Sequence, residues 1–215
     1  MRIDFISDVV CPWCAIGLYS LEAAAARIPG LELDLHFHPF ELNPQMGPAG
    51  QDIEEHLAEK YGASAAQLEG TRAAIRERGA ALGFTFSMAA RSRIYNTLDA
   101  HRLLHWAGEV GPAVQRTLKG ALLKAYFTDG LDVSSHDVLL TAATGAGLPE
   151  AEARELLAGK RFAAEVRASE AEVQRQNIHG VPAIIVNERH LIQGGQPVEV
   201  FEKLLRQAMA EPATA

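Results

Sequence analysis

Residues 6–16 read ISDVVCPWCAI and hold both cysteines of the chain, Cys11 and Cys14, on either side of Pro12 and Trp13. Just before them, residues 2–7 (RIDFIS) put Ile3 and Phe5 on one face, the pattern of a short core strand. Just after them, residues 14–27 carry Ile16, Leu18, Leu21 and the alanines 23–26, which favour helix until Pro29 and Gly30 stop it. Cys11 therefore falls where a strand ends and a helix begins. The unpaired amides of a first helical turn and the helix dipole favour an anion there, and Pro12 loses no hydrogen bond in that turn. Cys11 is expected to be exposed as a thiolate nucleophile, with Cys14 turned inward where it can resolve a mixed disulfide on Cys11.

Three other readings of the pair stand beside this one. A structural disulfide would close a very small loop and remove little unfolded-state entropy. A zinc site needs about four ligands, yet the chain has no second C-x-x-C; His36 and His38 share the polar face of a strand, but no H-x3-H follows the cysteine pair at the distance a zinc finger uses. No metal is expected. Two merely buried thiols complete the set, since free cysteine often behaves as a small core residue.

Composition narrows the setting. With 215 residues, 48% of them hydrophobic and 22% charged, the chain can bury a core without disulfide staples. Its net charge of -7 and lack of a Lys/Arg block give no footprint for nucleic acid or an anionic membrane surface. No apolar run approaches the roughly 20 residues of a membrane-spanning helix. The start MRIDFISD turns acidic too early for a secretory signal. The expected compartment is the cytoplasm, where a lone cysteine pair is more often catalytic, redox-sensing or metal-binding than structural.

Along the rest of the chain, LELDLHFHPF alternates Leu31, Leu33, Leu35 and Phe37 against Glu32, Asp34, His36 and His38, a half-buried strand ended by Pro39. After a Pro- and Gly-rich loop, more than a hundred residues read as helices. Asp52 is placed to cap one, and Ser64 with Gln67 forms a capping box for another. Others are expected to begin near Asn96, at Pro112, at Ser134 and at Pro149, with a last one over 162–176. VPAIIVNERHLIQGG then reads as a hairpin turning at 187–189, and 197–209 as an amphipathic helix.

CPWC after a strand, with GVP before the penultimate strand, resembles the thioredoxin fold, and the long helical block resembles its DsbA-like branch. SDVVCPWC, PFELNP, YNTLDAHRLLHWA, AYFTDG and GVPAIIV...GGQP are similar in order to cytoplasmic FrnE-like members. The resemblance implies an α/β thioredoxin-like fold (β-α-β and β-β-α) interrupted by a large α-helical insertion, with 1–48 and 177–211 forming the thioredoxin-like part and 49–176 the insertion. It implies thiol-disulfide oxidoreductase activity, with Cys11 attacking and Cys14 resolving. Val181-Pro182 would be a cis loop beside the sulfurs, whose backbone pairs with an extended substrate. No cofactor is implied beyond a redox-active Cys11–Cys14 disulfide, with glutathione as a reductant or ligand.

Pro12 and Trp13 are expected to tune the pair, with Trp13 exposed. Asp8, three residues before Cys11, reads either as a solvated strand-end carboxylate or as a group that tunes the thiol. Asp8, Phe40, Asn43, Asn96 and His101 are candidates for a substrate groove, the last two five apart on one helix; His56, His136 and His190 read as solvated. Expected partners are a disulfide-containing protein or small molecule and a reductant or oxidant that resets the pair; a homodimer is compatible with the sequence. The runner-up functions are a glutathione-dependent transferase of the kappa class or a 2-hydroxychromene-2-carboxylate isomerase, in which serine typically replaces the first cysteine, and a redox-sensing interaction module.

Overall fold

The structure is a computed structural model and describes residues 1–62, 65–87 and 89–211. The chain opens with β1 (Arg2–Ser7), α1 (Pro12–Ala26) and β2 (Asp34–Pro39) and closes with β5 (Ala183–Val186), β6 (His190–Gln193) and α9 (Val198–Ala210). These strands form one four-stranded sheet in the order β2-β1-β5-β6. β1 pairs in parallel with β2 and antiparallel with β5. As an inner strand it is buried along nearly its full length, whereas β2 keeps the alternation its sequence announces, with Leu35 and Phe37 inward. The strand expected from residue 31 begins only at Asp34, the first residue to find a partner, Arg2, on β1.

Between the two halves lie β3 (Gln51–Asp52), α2 (Ile53–Tyr61), α3 (Ala65–Ala81), β4 (Arg93–Ile94), α4 (Leu98–Val110), α5 (Pro112–Phe127), α6 (His136–Gly145), α7 (Glu150–Ala158) and α8 (Ala163–Arg175). The two-residue β3–β4 ladder was not signalled by any alternation. Asp52 caps α2 as expected, its Oδ1 accepting from the amides of Glu54 at 2.8 Å and Glu55 at 3.2 Å. The proposed capping box rests on Ser64, which lies outside the described residues. The helix expected near Asn96 is α4, which starts at Leu98; Asn96 itself is not on it, because its Oδ1 accepts from the Leu98 amide at 3.0 Å in the turn that feeds α4.

α4, α5 and α8 pack along β2, while α1 packs against α9 and α3. The larger of two apolar clusters among the described residues runs from the sheet into the helical segment, joining Phe5, Leu18 and Phe37 to Leu103, Leu118, Leu122 and Phe201. Two further links tie the segments together. Gln115 of α5 mimics a strand, accepting from the Phe37 amide at 3.0 Å and donating to the Phe37 carbonyl at 3.1 Å. A run of stacked and edge-on rings passes from Tyr19 through Phe84 and Phe86 to Phe127.

The loop after β6 comes so close to α1 that only glycine fits. A Cβ at Gly195 would lie 2.8 Å from the Trp13 carbonyl oxygen, and one at Gly17 would lie 3.1 Å from Pro182 Cγ. The Gly195 carbonyl also accepts from Arg78 Nη2 at 2.5 Å, which ties α3 to the same spot. Gly195→Ala is therefore expected to destabilise the protein by about 1–3 kcal/mol through overpacking against backbone, measured as a lowered midpoint in urea with an unchanged slope.

Candidate active site

Cys11 is the N-cap of α1, in an extended conformation, and Pro12 occupies the first helical position. The amides of Cys14 and Ala15 already bond back to the Cys11 carbonyl, at 3.1 and 3.4 Å. Both cysteines are free thiols. The expectation that Cys11 is exposed needs correction: it is 3% exposed and Cys14 is 0% exposed. Cys11 is covered because the loop before β5 crosses it, and its Sγ lies 3.8 Å from the Val181 carbonyl oxygen, to which the thiol donates. The Val181-Pro182 peptide is cis.

The two sulfurs are electrostatically unequal. The Cys14 thiol donates to Cys11 and lowers its pKa; burial opposes this, and the amides of Cys14 and Trp13 add to the lowering. Burial pushes Cys14 well above the ordinary range, and its neighbour Cys11 pushes it further. Of the two thiols, Cys11 is therefore the one whose anion is favoured, while Cys14 keeps its proton.

Asp8 is no solvated strand end. It is 0% exposed, its Oδ2 accepts from the Leu42 amide at 2.8 Å and its Oδ1 lies 3.3 Å from His101 Nε2. Burial alone would raise its pKa, but His101 and the Leu42 amide outweigh it and the carboxyl stays below its usual value. His101, a groove candidate, thus sits buried behind the sulfurs as the partner of Asp8. Trp13 is half-buried, with the Arg78 guanidinium 5.3 Å from its ring centroid, because α3 lies over the start of α1.

A cavity of about 330 Å³ opens beside Cys11. Pro12, Trp13, Asn43 and Val181 line it, with Leu57 and Ile75 supplying apolar wall and Lys60, Arg72 and Arg91 supplying positive charge. Among the described residues no Asp or Glu lines it. His56, read as solvated, is half-buried on its wall and pairs with Gln51 at 2.8 Å. His136 and His190 instead lie at the surface, beside Asp99 and Glu211. Phe40 packs with Val173, Ile178 and Ala183 and does not line the cavity, nor do Asp8, Asn96 and His101; of the groove candidates Asn43 lines it. Lys60, Arg72 and Arg91 carried no sequence signal: they come from α2, α3 and the loop before β4, and only packing brings them to one wall.

The loop over residues 40–43, which forms one rim, is held from three sides. Lys60 Nζ donates to the Leu42 carbonyl at 2.8 Å and to Asn43 Oδ1 at 2.7 Å, Asp8 holds Leu42, and Glu170 accepts from the Glu41 amide at 2.8 Å. Arg167 bridges the Glu41 and Glu170 carboxylates. Among the described residues no cluster of three or more His, Cys, Asp or Glu is arranged to hold a metal ion, and no helix is long and apolar enough to cross a membrane.

Two outcomes follow from these charges. Burial, then repulsion from Glu170, raises the Glu41 pKa to about 7 despite Arg167. A carboxyl raised on folding favours the folded state at low pH, and that contribution disappears as pH rises through about 7. Glu41→Gln should therefore leave the melting temperature unchanged at pH 4 and raise stability at pH 8 by about 1 kcal/mol, the half-exposed Arg167 screening the rest. Cys11 should be alkylated by iodoacetamide with a pH midpoint below that of a free cysteine, while Cys14 stays unmodified until the protein unfolds; peptide mapping at a series of pH values reads both.

Comparison with known proteins agrees with this geometry. A model of the DSBA-like thioredoxin domain matches residues 2–206. A probable DsbA oxidoreductase from Streptomyces coelicolor is 33% identical, with a TM-score of 0.91 over 100% of this chain and 92% of that one. The cytosolic disulfide reductase DsbM from Pseudomonas aeruginosa, solved with GSH, shares 19% identity and a TM-score of 0.66 over 98% of this chain and 100% of its own. A 2-hydroxychromene-2-carboxylate isomerase shares 13% identity and a TM-score of 0.71 over 97% and 96%; the last two likenesses speak to fold alone. With a family model spanning nearly the entire chain and a sheet and cysteine helix of matching form, this protein belongs to the DsbA-like thioredoxin family of thiol-disulfide oxidoreductases.

Proposed function

We propose that the protein catalyses thiol-disulfide exchange through its C-P-W-C dithiol, in the cytoplasm, with Cys11 as nucleophile and Cys14 as the resolving thiol. The observation that carries this reading is the inequality of the two sulfurs at one helix N-terminus: an anion-favouring Cys11 on the wall of a cavity, and a protonated, fully buried Cys14 donating to it. Cys11 thiolate attacks a substrate disulfide, forming a mixed disulfide and releasing one thiolate. Cys14 then loses its proton and attacks Cys11 Sγ, so that the substrate leaves reduced by two electrons and the Cys11–Cys14 disulfide holds the oxidation. A reductant must return the pair to dithiol.

The cavity favours an anionic low-molecular-weight thiol such as glutathione in that resetting step. Three cationic side chains line it, and about 330 Å³ accommodates a small peptide thiol better than a folded chain segment. The serine that typically replaces the first cysteine in the glutathione-dependent isomerases is absent: position 11 is cysteine, which supports redox turnover over isomerisation.

Insulin reduction and reactivation of scrambled ribonuclease, each with glutathione as the reductant, test the reading. Cys11→Ser should lose all turnover, and Cys14→Ser should lose turnover while accumulating mixed disulfides visible by mass spectrometry. Turnover by the Cys11→Ser protein would sink the mechanism, and activity confined to a glutathione-dependent isomerase assay would replace it with the isomerase reading.

A further inference from the structure

Lys119 of α5 is the least expected charge in the molecule. It is 1% exposed, and its Nζ has no hydrogen-bond partner among the described residues. Its nearest described aromatic contact is the face of Phe37, with the ring centroid 5.8 Å away. Burying an ammonium without a hydrogen bond is strongly unfavourable, so what surrounds it carries meaning. The groups acting on it electrostatically are Cys14 of α1, Cys11 at the N-cap of that helix and Asp8 of the loop after β1. Asp8 has its oxygens engaged by Leu42 and His101. On Cys14 the Asp8 amide and Lys119 are the groups that favour a negative charge.

A second cavity, of about 280 Å³, reaches Lys119 from the other side, between β2 and α4. His36, His38, His101, His105 and Glu109 are the titratable groups on its wall, and it shares no lining residue with the cavity at Cys11. A polar space of that size admits several waters, which would solvate the far side of the ammonium. Burial lowers the Lys119 pKa, while Cys14, Asp8 and Cys11 act to raise it; water in this space would favour the ammonium without placing it in the substrate groove.

Resting on the thiol-disulfide reading above, we propose that Lys119 is the positioning residue of the second half of the cycle: a buried counter-charge, supplied by the helical insertion and hydrated from the rear cavity, that stabilises Cys14 as a thiolate when it resolves the mixed disulfide. At that stage Cys11 is bonded to the substrate sulfur and carries no charge. The Cys14 S–H bond breaks and its proton passes to water. The sulfur's electron pair forms the Cys14–Cys11 bond, the bond from Cys11 to the substrate breaks, and the substrate leaves as a thiolate that takes up a proton. Of the groups acting on the resolving thiol, the Asp8 amide and Lys119 favour its anion.

The experiment uses an aromatic disulfide whose thiol is coloured when released. Attack by Cys11 releases a first equivalent, and resolution by Cys14 releases a second in a separate phase. In Lys119→Met the pH midpoint of the second phase should rise by about one unit; the tenfold loss of thiolate, offset by the greater nucleophilicity of a more basic thiol, leaves the phase about threefold slower at pH 7. The first phase should stay within about twofold, and the variant should melt no lower than the parent, since methionine is easier to bury than a lone charge. A folded Lys119→Met or Lys119→Gln protein with an unchanged second phase overturns the proposal. Should neither variant fold, the unaltered protein decides: the Lys119 side-chain carbon signal, followed by NMR, should titrate at higher pH in the dithiol than in the disulfide form, and equal midpoints overturn the proposal. A parent protein that releases no coloured thiol defeats the thiol-disulfide reading instead, and the lysine titration still judges Lys119.

Discussion

The antiparallel ladder between β1 and β5 fixes where the site can form. Ile6 pairs with Ala183, so the residues just before Ala183, Val181 and Pro182, must lie over the residues just after Ser7. That is where the chain leaves the sheet and turns into α1, and it sets Cys11 Sγ 3.8 Å from a carbonyl 170 residues away in sequence. Close approach of glycines 17 and 195 lets α1 sit against this loop, and Arg78 draws α3 onto the same place. Were the ladder to slip by one residue, every side chain of β5 would change face and the loop would leave the cysteines.

Around this fixed point the helical segment supplies what the sheet cannot. α2 and α3 roof Cys11 and furnish a cationic wall; α4 delivers His101 to Asp8, and α5 delivers Lys119 beneath the sulfurs. The result is a dithiol with two electrically different sides. Cys11 faces a cavity whose wall carries positive charge, and Cys14 faces buried polar groups with their own cavity. Burial makes both effects larger than they would be in water, because a charge in a low-dielectric surrounding is weakly screened.

Much of the fold was legible in the chain. The C-x-x-C at a strand-to-helix junction, the alternation in 34–39, the Asp52 cap, Pro112 at the head of α5 and the turn at 187–189 are local signals, and each corresponds to an element of the structure. The errors are also local. Asn96 was assigned to the helix it only introduces, because an Asx turn and an N-cap use the same residue types. His56 reads as solvated, Cys11 as exposed and Asp8 as either solvated or tuning the thiol, because exposure depends on what crosses a residue from elsewhere, and periodicity within one segment carries no trace of it.

Local sequence already dictates that a strand, a dithiol at a helix N-terminus and a terminal hairpin and helix occur in that order, since propensity, capping and alternation act over a few residues. It also determined, through motifs spread along its length, the family to which the fold belongs. Only the tertiary structure decided that Asp8 is buried on His101, that Lys60, Arg72 and Arg91 share a wall, and that a lysine in the middle of α5 stands behind Cys14. Those pairings join residues tens of positions apart. Their energies come from burial and the low dielectric it creates, and neither exists until the helices close on the sheet.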